Sequence, residues 1–249
     1  MFLELAELLE GGENVESEML GNIYPITYDT NLKDLQDQIQ EEVICLLTDS
    51  DSSVKQALLS EMPRLCIFFG KQKANDFLIS HIITYLNDPD WNLRAAFCEA
   101  IVGVGTFSGT VALEQFILPL LVMALTDAEE AVVEKVLNSM TSLAELGLIQ
   151  KSKMKEFCGL VVPLVCHPNR MINYATIGYI CSICKILSPI EVKSAVLPLI
   201  KPFSTSDVFI LTEQCLMRML KRPISRESYD YAVDFIVEKK KNTKSYAER

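Results

Sequence analysis

The sequence predicts an all-α fold, a HEAT/armadillo-type α-solenoid of about five helical hairpins. Three observations lead to this fold: a segment that recurs about every 39 residues, apolar residues at helical spacing, and no sustained alternation with a period of two. One two-helix unit cannot bury both of its faces alone. Recurrence at this length therefore predicts hairpins that stack side by side around a shared core.

The recurring segment has the same layout in each copy. An apolar residue ends one helix, a polar residue follows two positions later, and an aliphatic residue follows seven positions later. The interval of 39 to 40 residues between copies is typical of HEAT or armadillo units and longer than a tetratricopeptide or ankyrin unit. The copies begin at Leu47, Leu86, Leu125, Val165 and, in a degenerate form, at Phe203 with Ile210 in the aliphatic place.

Charged residues recur with the same period. Asp49, Asp88 and Asp127 lie in the predicted turns, where a carboxylate can cap the next helix or bond the neighbouring turn. Lys55 and Arg94 each follow the aliphatic position of their copy. We expect these five residues to form a structural ladder between the turns of adjacent repeats.

The third and fourth copies depart from this charge pattern. Val133 and Asn173 stand where the earlier copies have a cation, so the ladder is expected to stop after the second copy. His167, followed by Pro168 and Asn169, occupies the turn position that holds aspartate in the other copies. Capping is the expected role of this histidine, rather than catalysis.

Apolar stripes and helix breakers define the helices within each copy. The spacing of the stripes predicts that they are buried, while Gly70, Gly109 and Gly147 are expected to close helices. Pro119, Pro163 and Pro198 are expected to bend first helices. The stripes are Leu93, Phe97, Ala100, Ile101 and Val104; Val133, Val136, Leu137, Met140 and Ala144; and Phe116, Ile117, Leu120, Leu121 and Ala124.

The chain divides into three parts. Residues 1–30 are expected to form an entering helix and an acidic loop, residues 31–238 the solenoid, and residues 239–249 a basic tail that frays. The net charge of −10 disfavours nucleic acid as a partner, because phosphate neutralisation supplies most of that affinity. The longest apolar run, residues 117–125, is too short to span a membrane. A cytoplasmic chain is expected.

Several motifs suggest chemistry, and each has a simpler structural interpretation. The glycine-rich run at residues 103–109 follows a predicted helix instead of a strand, and Ser108 stands where a dinucleotide fingerprint needs glycine. The Cys181-x-x-Cys184 pair lacks a second pair of zinc ligands, and all eight cysteines are expected to be small packed hydrophobes. No catalytic residue, metal or cofactor is predicted. Trp91 is the candidate interaction anchor.

Four runs of residues, taken together in their order and spacing, resemble one known family. These runs are similar to the HEAT-repeat section of the regulatory subunit 4 family of phosphoinositide 3-kinase, the scaffold of the class III lipid kinase. The resemblance covers about residues 41–235. The runs are Ile82 to Arg94, Leu118 to Asp127, Cys166 to Asn169, and Pro223 to Ala232.

The resemblance implies a scaffold without catalysis of its own. Its implied partners are the catalytic lipid kinase and a coiled-coil regulatory subunit, with membranes reached only through the complex at endosomal and autophagic sites. The kinase-like domain that the family places before the solenoid has no motif in this sequence. Two alternatives stay open here: a generic HEAT adaptor of the phosphatase-scaffold or transport-receptor type, and an enzyme with an unrecognised pocket.

Overall fold

The computed structural model describes the backbone of residues 25–206 and 211–235, and the side chains from residue 33 onward. Within these residues the regular secondary structure is helical, apart from one isolated antiparallel bridge between Ser204 and Leu220. The helices pair into five successive hairpins. The predicted all-α solenoid of HEAT/armadillo type is therefore confirmed.

Hairpins 1 and 2 comprise the described residues up to Ser108. In hairpin 1 the described part of the first helix runs from Pro25, which lies inside the segment that the sequence assigned to entry. The first helix of hairpin 1 is Pro25–Leu47, and its second helix is Ser52–Ser60 continued by Met62–Lys73, which breaks at Gly70 so that its last residues lead into hairpin 2. Hairpin 2 has Ala74–Ile79, Ser80–Ile82 and Ile83–Asn87 as its first helix and Trp91–Ser108 as its second.

Hairpins 3 to 5 continue the stack. Hairpin 3 consists of Thr110–Ala112, Leu113–Ile117 and Leu118–Ala124, followed by Glu130–Glu145. Hairpin 4 consists of Lys151–Val161 and Val162–Cys166, followed by Arg170–Ile186. Hairpin 5 consists of Pro189–Glu191, Val192–Val196, Leu197–Ile200 and Lys201–Phe203, followed by the short helix Glu213–Met219.

The second helices pack against one another in chain order. Four of the five residues in the predicted stripe of hairpin 2 are fully buried, and so are the matching residues of hairpin 3. A continuous row of buried aliphatic residues thus passes from one hairpin to the next, as expected for a solenoid. The buried residues include Leu93, Phe97, Ile101, Val104, Val132, Val136, Leu137, Met140 and Leu143.

Glycine and proline set the breaks between helices. Gly70, Gly109 and Gly147 have φ values of 76°, 82° and 71°, a conformation that favours glycine, so their predicted role as helix ends is confirmed. Pro119 and Pro198 each lie just after a short π-helical stretch. The proline nitrogen has no hydrogen to donate, so the helix widens locally before the ring.

Burial in hairpin 3 corrects one sequence prediction. The stripe of hairpin 3 was expected to bury Phe116, but this side chain is 56% exposed while Leu113 is fully buried. Ile117 and Leu121 are also buried, at ordinary helical spacing from Leu113, so that side of the helix faces the core and Phe116 lies on the side that faces solvent. Cys45 is also exposed, although it was expected to be packed.

A final segment leaves the stack and folds back along it. We call residues 221–235 the C-terminal strap; its residues 226–235 are helical. Ser225 caps this helix, since its Oγ accepts from the Ser228 amide at 3.3 Å. The strap begins where the Lys221 amide donates to the Phe203 carbonyl at 2.8 Å, and the Ile224 amide then donates to Cys166 at 2.9 Å. Hairpin 4 therefore holds the start of the strap.

Some predictions fall on residues outside those described. They are the entering segment before Pro25, Ile210 of the degenerate fifth copy, and the basic tail at residues 239–249. The division of the chain at these points stays a prediction.

Candidate functional site

The turns that join the first and second helix of hairpins 1 to 4 lie along one edge of the stack, which we call the turn edge. In each of hairpins 1 to 4 the third residue of the repeat segment accepts a hydrogen bond from the amide two residues later. This bond fixes the turn and positions the start of the second helix. The acceptors and distances are Asp49 at 2.8 Å, Asp88 at 2.9 Å, Asp127 at 2.8 Å and, through its Nδ1, His167 at 3.1 Å.

The first junction of the turn edge brings Lys55 to Asp88. Lys55 Nζ lies 3.1 Å from Asp88 Oδ2, and both side chains are more than four-fifths buried. The same ammonium lies 5.6 Å from the ring centre of Tyr85, whose hydroxyl donates to the Leu47 carbonyl at 2.6 Å. The amide of Asp90 and the Lys55 ammonium together hold the pKa of Asp88 below its ordinary value. Hairpins 1 and 2 are thus joined by polar contacts as well as by their core.

The second junction brings Arg94 to Asp127 through two parallel bonds. Arg94 Nε donates to Asp127 Oδ2 at 2.8 Å, and its Nη2 donates to Oδ1 at 2.9 Å. A third bond, from Nη1 to the Asp88 carbonyl at 2.8 Å, ties the cation to its own turn. Burial would raise the pKa of Asp127, but the bonds from Arg94 and the Glu129 amide lower it below its ordinary value. This geometry is the strong, bidentate form of an ion pair.

The third junction is built differently. Glu130, in the first turn of its helix, accepts from Asn169 Nδ2 at 2.7 Å and lies 3.8 Å from His167 Nε2. Its cation comes from the C-terminal strap: Arg226 Nη1 and Nη2 lie 2.5 and 3.0 Å from the two carboxylate oxygens. Asn173, in the ladder position of hairpin 4, donates to the Val165 carbonyl of its own turn. Arg226 thus gives this junction the cation that position 133 lacks.

An aromatic contact completes the third junction. The ring centre of Tyr229 lies 4.6 Å from that of His167, at an interplanar angle of 68°. His167 is only 5% exposed, and this burial lowers the pKa of its imidazole below the ordinary value. Because Nδ1 accepts the Asn169 amide, the neutral ring carries its proton on Nε2, facing Glu130.

The sequence did not predict the contacts of Glu130, Asn169, Arg226 and Tyr229. Arg226 lies 96 residues from Glu130, so no repeat period connects the two. One signal was present in the sequence: Val133 interrupts the charge pattern, which marks this junction as a place that needs another partner.

The other residues singled out from the sequence are Trp91 and the cysteine pair. Trp91 begins the second helix of hairpin 2 and is 41% exposed, beside the turn at Asp90. Cys181 is buried and Cys184 partly buried, and burial raises the pKa of their thiols to about 11 and about 12. Across the described ranges, no three His, Cys, Asp or Glu side chains group as metal ligands. No helix in the described part of the chain is long and apolar enough to cross a membrane.

Two solved structures share this fold at low sequence identity. The crystal structure of Cex1p aligns with a TM-score of 0.63 at 15% identity, covering 86% of this chain and 37% of the other. A structure from a study of microtubule plus-end tracking by XMAP215, CLIP-170 and EB1 aligns with a TM-score of 0.53 at 13% identity, covering 90% and 87% of the two chains. At such identities the likeness extends to the fold alone.

The sequence comparisons are more specific. A probable serine/threonine-protein kinase vps15 of Dictyostelium discoideum is 42% identical over 231 residues, 88% of this chain and 12% of that protein. The vps15 kinase of Schizosaccharomyces pombe is 42% identical and that of Saccharomyces cerevisiae 39%, over 74% and 82% of this chain and 11% and 14% of those proteins. The family model described as PIK3R4-like, middle domain, matches residues 1–233, and the chain belongs to this family.

Proposed function

We propose that this solenoid is a protein-interaction scaffold of the class III phosphatidylinositol 3-kinase complex. It positions the catalytic lipid kinase and the coiled-coil regulatory subunit for endosomal sorting and autophagy. It performs no catalysis itself, and it is cytoplasmic, reaching the endosomal or autophagic membrane only through its complex. Membership of the PIK3R4-like middle-domain family is the observation that carries this proposal.

The construction of the stack supports such a role. Its hairpins share one continuous core, and Lys55–Asp88 and Arg94–Asp127 add buried polar contacts across two successive junctions. These contacts resist sliding of one hairpin along the next, because each binds a specific turn. A stiff arm of this kind holds bound proteins at a fixed separation.

Exposed apolar side chains offer surfaces for those proteins. On the first helix of hairpin 3, Phe116 and Met123 are 56% and 68% exposed, and Pro119 between them is exposed as well. Trp91, on the turn edge, is a second contact point. Aromatic residues and methionine are enriched in protein interfaces, so we assign the first contact to Phe116 and Met123 and a supporting one to Trp91.

Co-purification tests the proposal. The tagged chain is expressed with the class III lipid kinase and its coiled-coil subunit, and capture of at least one is expected. Phe116→Asp with Met123→Asp is expected to reduce capture strongly, and Trp91→Ala moderately. Ile190→Asp is the matched control, since Ile190 is 80% exposed on the first-helix layer of hairpin 5. Capture of neither protein by folded wild-type chain contradicts the function, whereas full capture by the double variant contradicts only the assigned surface.

A further inference from the structure

The C-terminal strap lies over a groove at the third junction. We call this the turn groove; it runs along the turns of hairpins 3 and 4. Its floor is apolar, with Leu125, Val133 and Ile172 all buried, and Glu130 and Asp127 supply carboxylates on its wall. A cleft with a volume of about 740 Å³ remains between the groove and the strap, reaching Val233 and Asp234. The strap therefore fills the groove only in part.

The strap contacts the turn groove through side chains on one face of its helix. Arg226 binds both oxygens of Glu130, and Tyr229 packs edge-on against His167. The two strap residues are three positions apart on one helix, so they share one face. Every other side chain of the strap is exposed, and Tyr229 itself is only partly buried. A helix with so little buried surface is expected to open locally while the stack stays folded.

We propose that the turn groove is a docking site for an amphipathic helix that presents an arginine and, three residues later, an aromatic residue. In this chain the strap is the occupant in cis, and a partner helix of the same chemistry displaces it. The arginine binds the Glu130 carboxylate, the aromatic ring covers His167, and further apolar residues enter the cleft that the strap leaves open. This is the helix-in-groove mode of recognition.

The charge of the site favours this partner over others. The carboxylates of Asp127 and Glu130 stay in the groove when the strap leaves, whereas Asp230 and Asp234 leave with Arg226 as parts of the strap. Asp127 is already bound by Arg94, which leaves Glu130 as the acceptor for an incoming cation. A helix that places an arginine against Glu130 keeps the ion pair that Arg226 makes, so the exchange leaves the charge balance of the groove unchanged.

The inference rests on the scaffold function, but it is tested without the kinase complex. The probe is a fluorescent peptide spanning residues 221–235, which carries the proposed pattern. It is titrated against the full wild-type chain, Arg226→Ala/Tyr229→Ala, that variant with Glu130→Ala added, and the control Glu227→Ala. Circular dichroism checks that each variant is folded.

A chain whose groove is open should bind the peptide more tightly than a chain whose groove holds its own strap. The double variant is expected to bind about tenfold more tightly than the wild-type and Glu227→Ala chains, in which the strap competes in cis. Adding Glu130→Ala is expected to abolish the gain. Equal binding by all four proteins, or binding by none, overturns the proposal.

Hydrogen exchange of the unmodified chain gives a second, independent test. Amides of residues 226–235 should exchange much faster than those of the second helix of hairpin 3. Equally slow exchange would show that the strap does not open and would overturn the proposal. Failure of either test leaves capture of the lipid kinase unaffected, so the two proposals fail separately.

Discussion

The second and third junctions of the stack each contain an ion pair, but the cations come from different parts of the chain. Between hairpins 2 and 3, Arg94 reaches the turn carboxylate Asp127 of the next hairpin. Between hairpins 3 and 4, the cation is Arg226, supplied by a segment 96 residues further along the chain from Glu130. The comparison shows that a junction whose repeat pattern lapses can take its polar contact from outside the repeat.

The chemistry of the turn explains why the pattern lapses at that point. Asp127 carries a charge and therefore balances a buried cation one hairpin away. His167 keeps the turn bond through Nδ1 but is a neutral group when its pKa is lowered by burial. A cation at position 133 would face no carboxylate in that turn. The carboxylate of this junction is Glu130 instead, and it binds the half-exposed guanidinium of Arg226.

The largest expected effect comes from breaking the second junction. Asp127→Ala should lower the free energy of unfolding by about 2–3 kcal/mol. It leaves the mostly buried guanidinium of Arg94 without its carboxylate, and it removes the acceptor of the turn bond. Asp49→Ala is the matched control. It removes the same turn bond, of 2.8 Å, but no ion pair to Asp49 occurs among the described residues. Its loss should be about 1 kcal/mol or less. Urea unfolding measures both, and equal losses would contradict a stabilising role for the pair.

The positions of the ladder residues at the first two junctions could be predicted from the sequence. The period of about 39 residues located the turns, and the charges at Lys55, Arg94 and the turn aspartates shared that period. Local chemistry repeated at a fixed spacing is what a single sequence displays well. The bidentate geometry at Arg94 was not accessible, because it depends on the relative rotation of two helices.

The third junction was not predictable for a physical reason. Its contacts join Glu130 and His167 to Arg226 and Tyr229, and neither pairing follows from a helical or repeat period. The exposure of Phe116 was not predicted for another reason: apolar residues occupy both sides of this helix, so the helical period alone does not say which side faces the core. The period thus located the helices and turns, but neither contacts between distant segments nor the buried side of a helix that is apolar on both sides.

A smaller effect should distinguish the two cations of the ladder. Arg94→Lys should lower the free energy of unfolding by about 1 kcal/mol, since a lysine cannot keep both bonds to Asp127 and the bond to the Asp88 carbonyl. Lys55→Arg should change it by about 0.5 kcal/mol or less, because Lys55 makes a single contact with Asp88 that an arginine retains. Thermal unfolding of the two variants makes the comparison. If Arg94→Lys left the free energy of unfolding unchanged, the paired bonds from Arg94 to Asp127 would contribute nothing to the second junction.

The third junction should respond to pH just below about 6.5, a range in which the lowered pKa of Asp127 keeps the second junction ionised. Burial lowers the pKa of His167, so below about pH 6.5 the unfolded chain binds more protons than the folded chain. Its contribution to stability is therefore complete above that pH and is lost as the pH falls towards the folded pKa. His167→Asn keeps an acceptor for the Asn169 amide and removes the titration. The wild-type chain should lose stability on acidification more steeply than this variant, and parallel pH profiles would contradict the assignment.

The smallest global effect is expected where the strap alone is weakened. Arg226→Ala removes a half-exposed ion pair from a segment that buries little surface, so the midpoint of global unfolding should not change measurably. The amides of residues 226–235 should nevertheless exchange faster, while Glu227→Ala leaves them unchanged. The contrast with Asp127→Ala is the decisive part. If Arg226→Ala lowered the midpoint as much as Asp127→Ala does, the strap would be as integral to the stack as the ladder, and the difference between the two junctions would lie only in sequence distance.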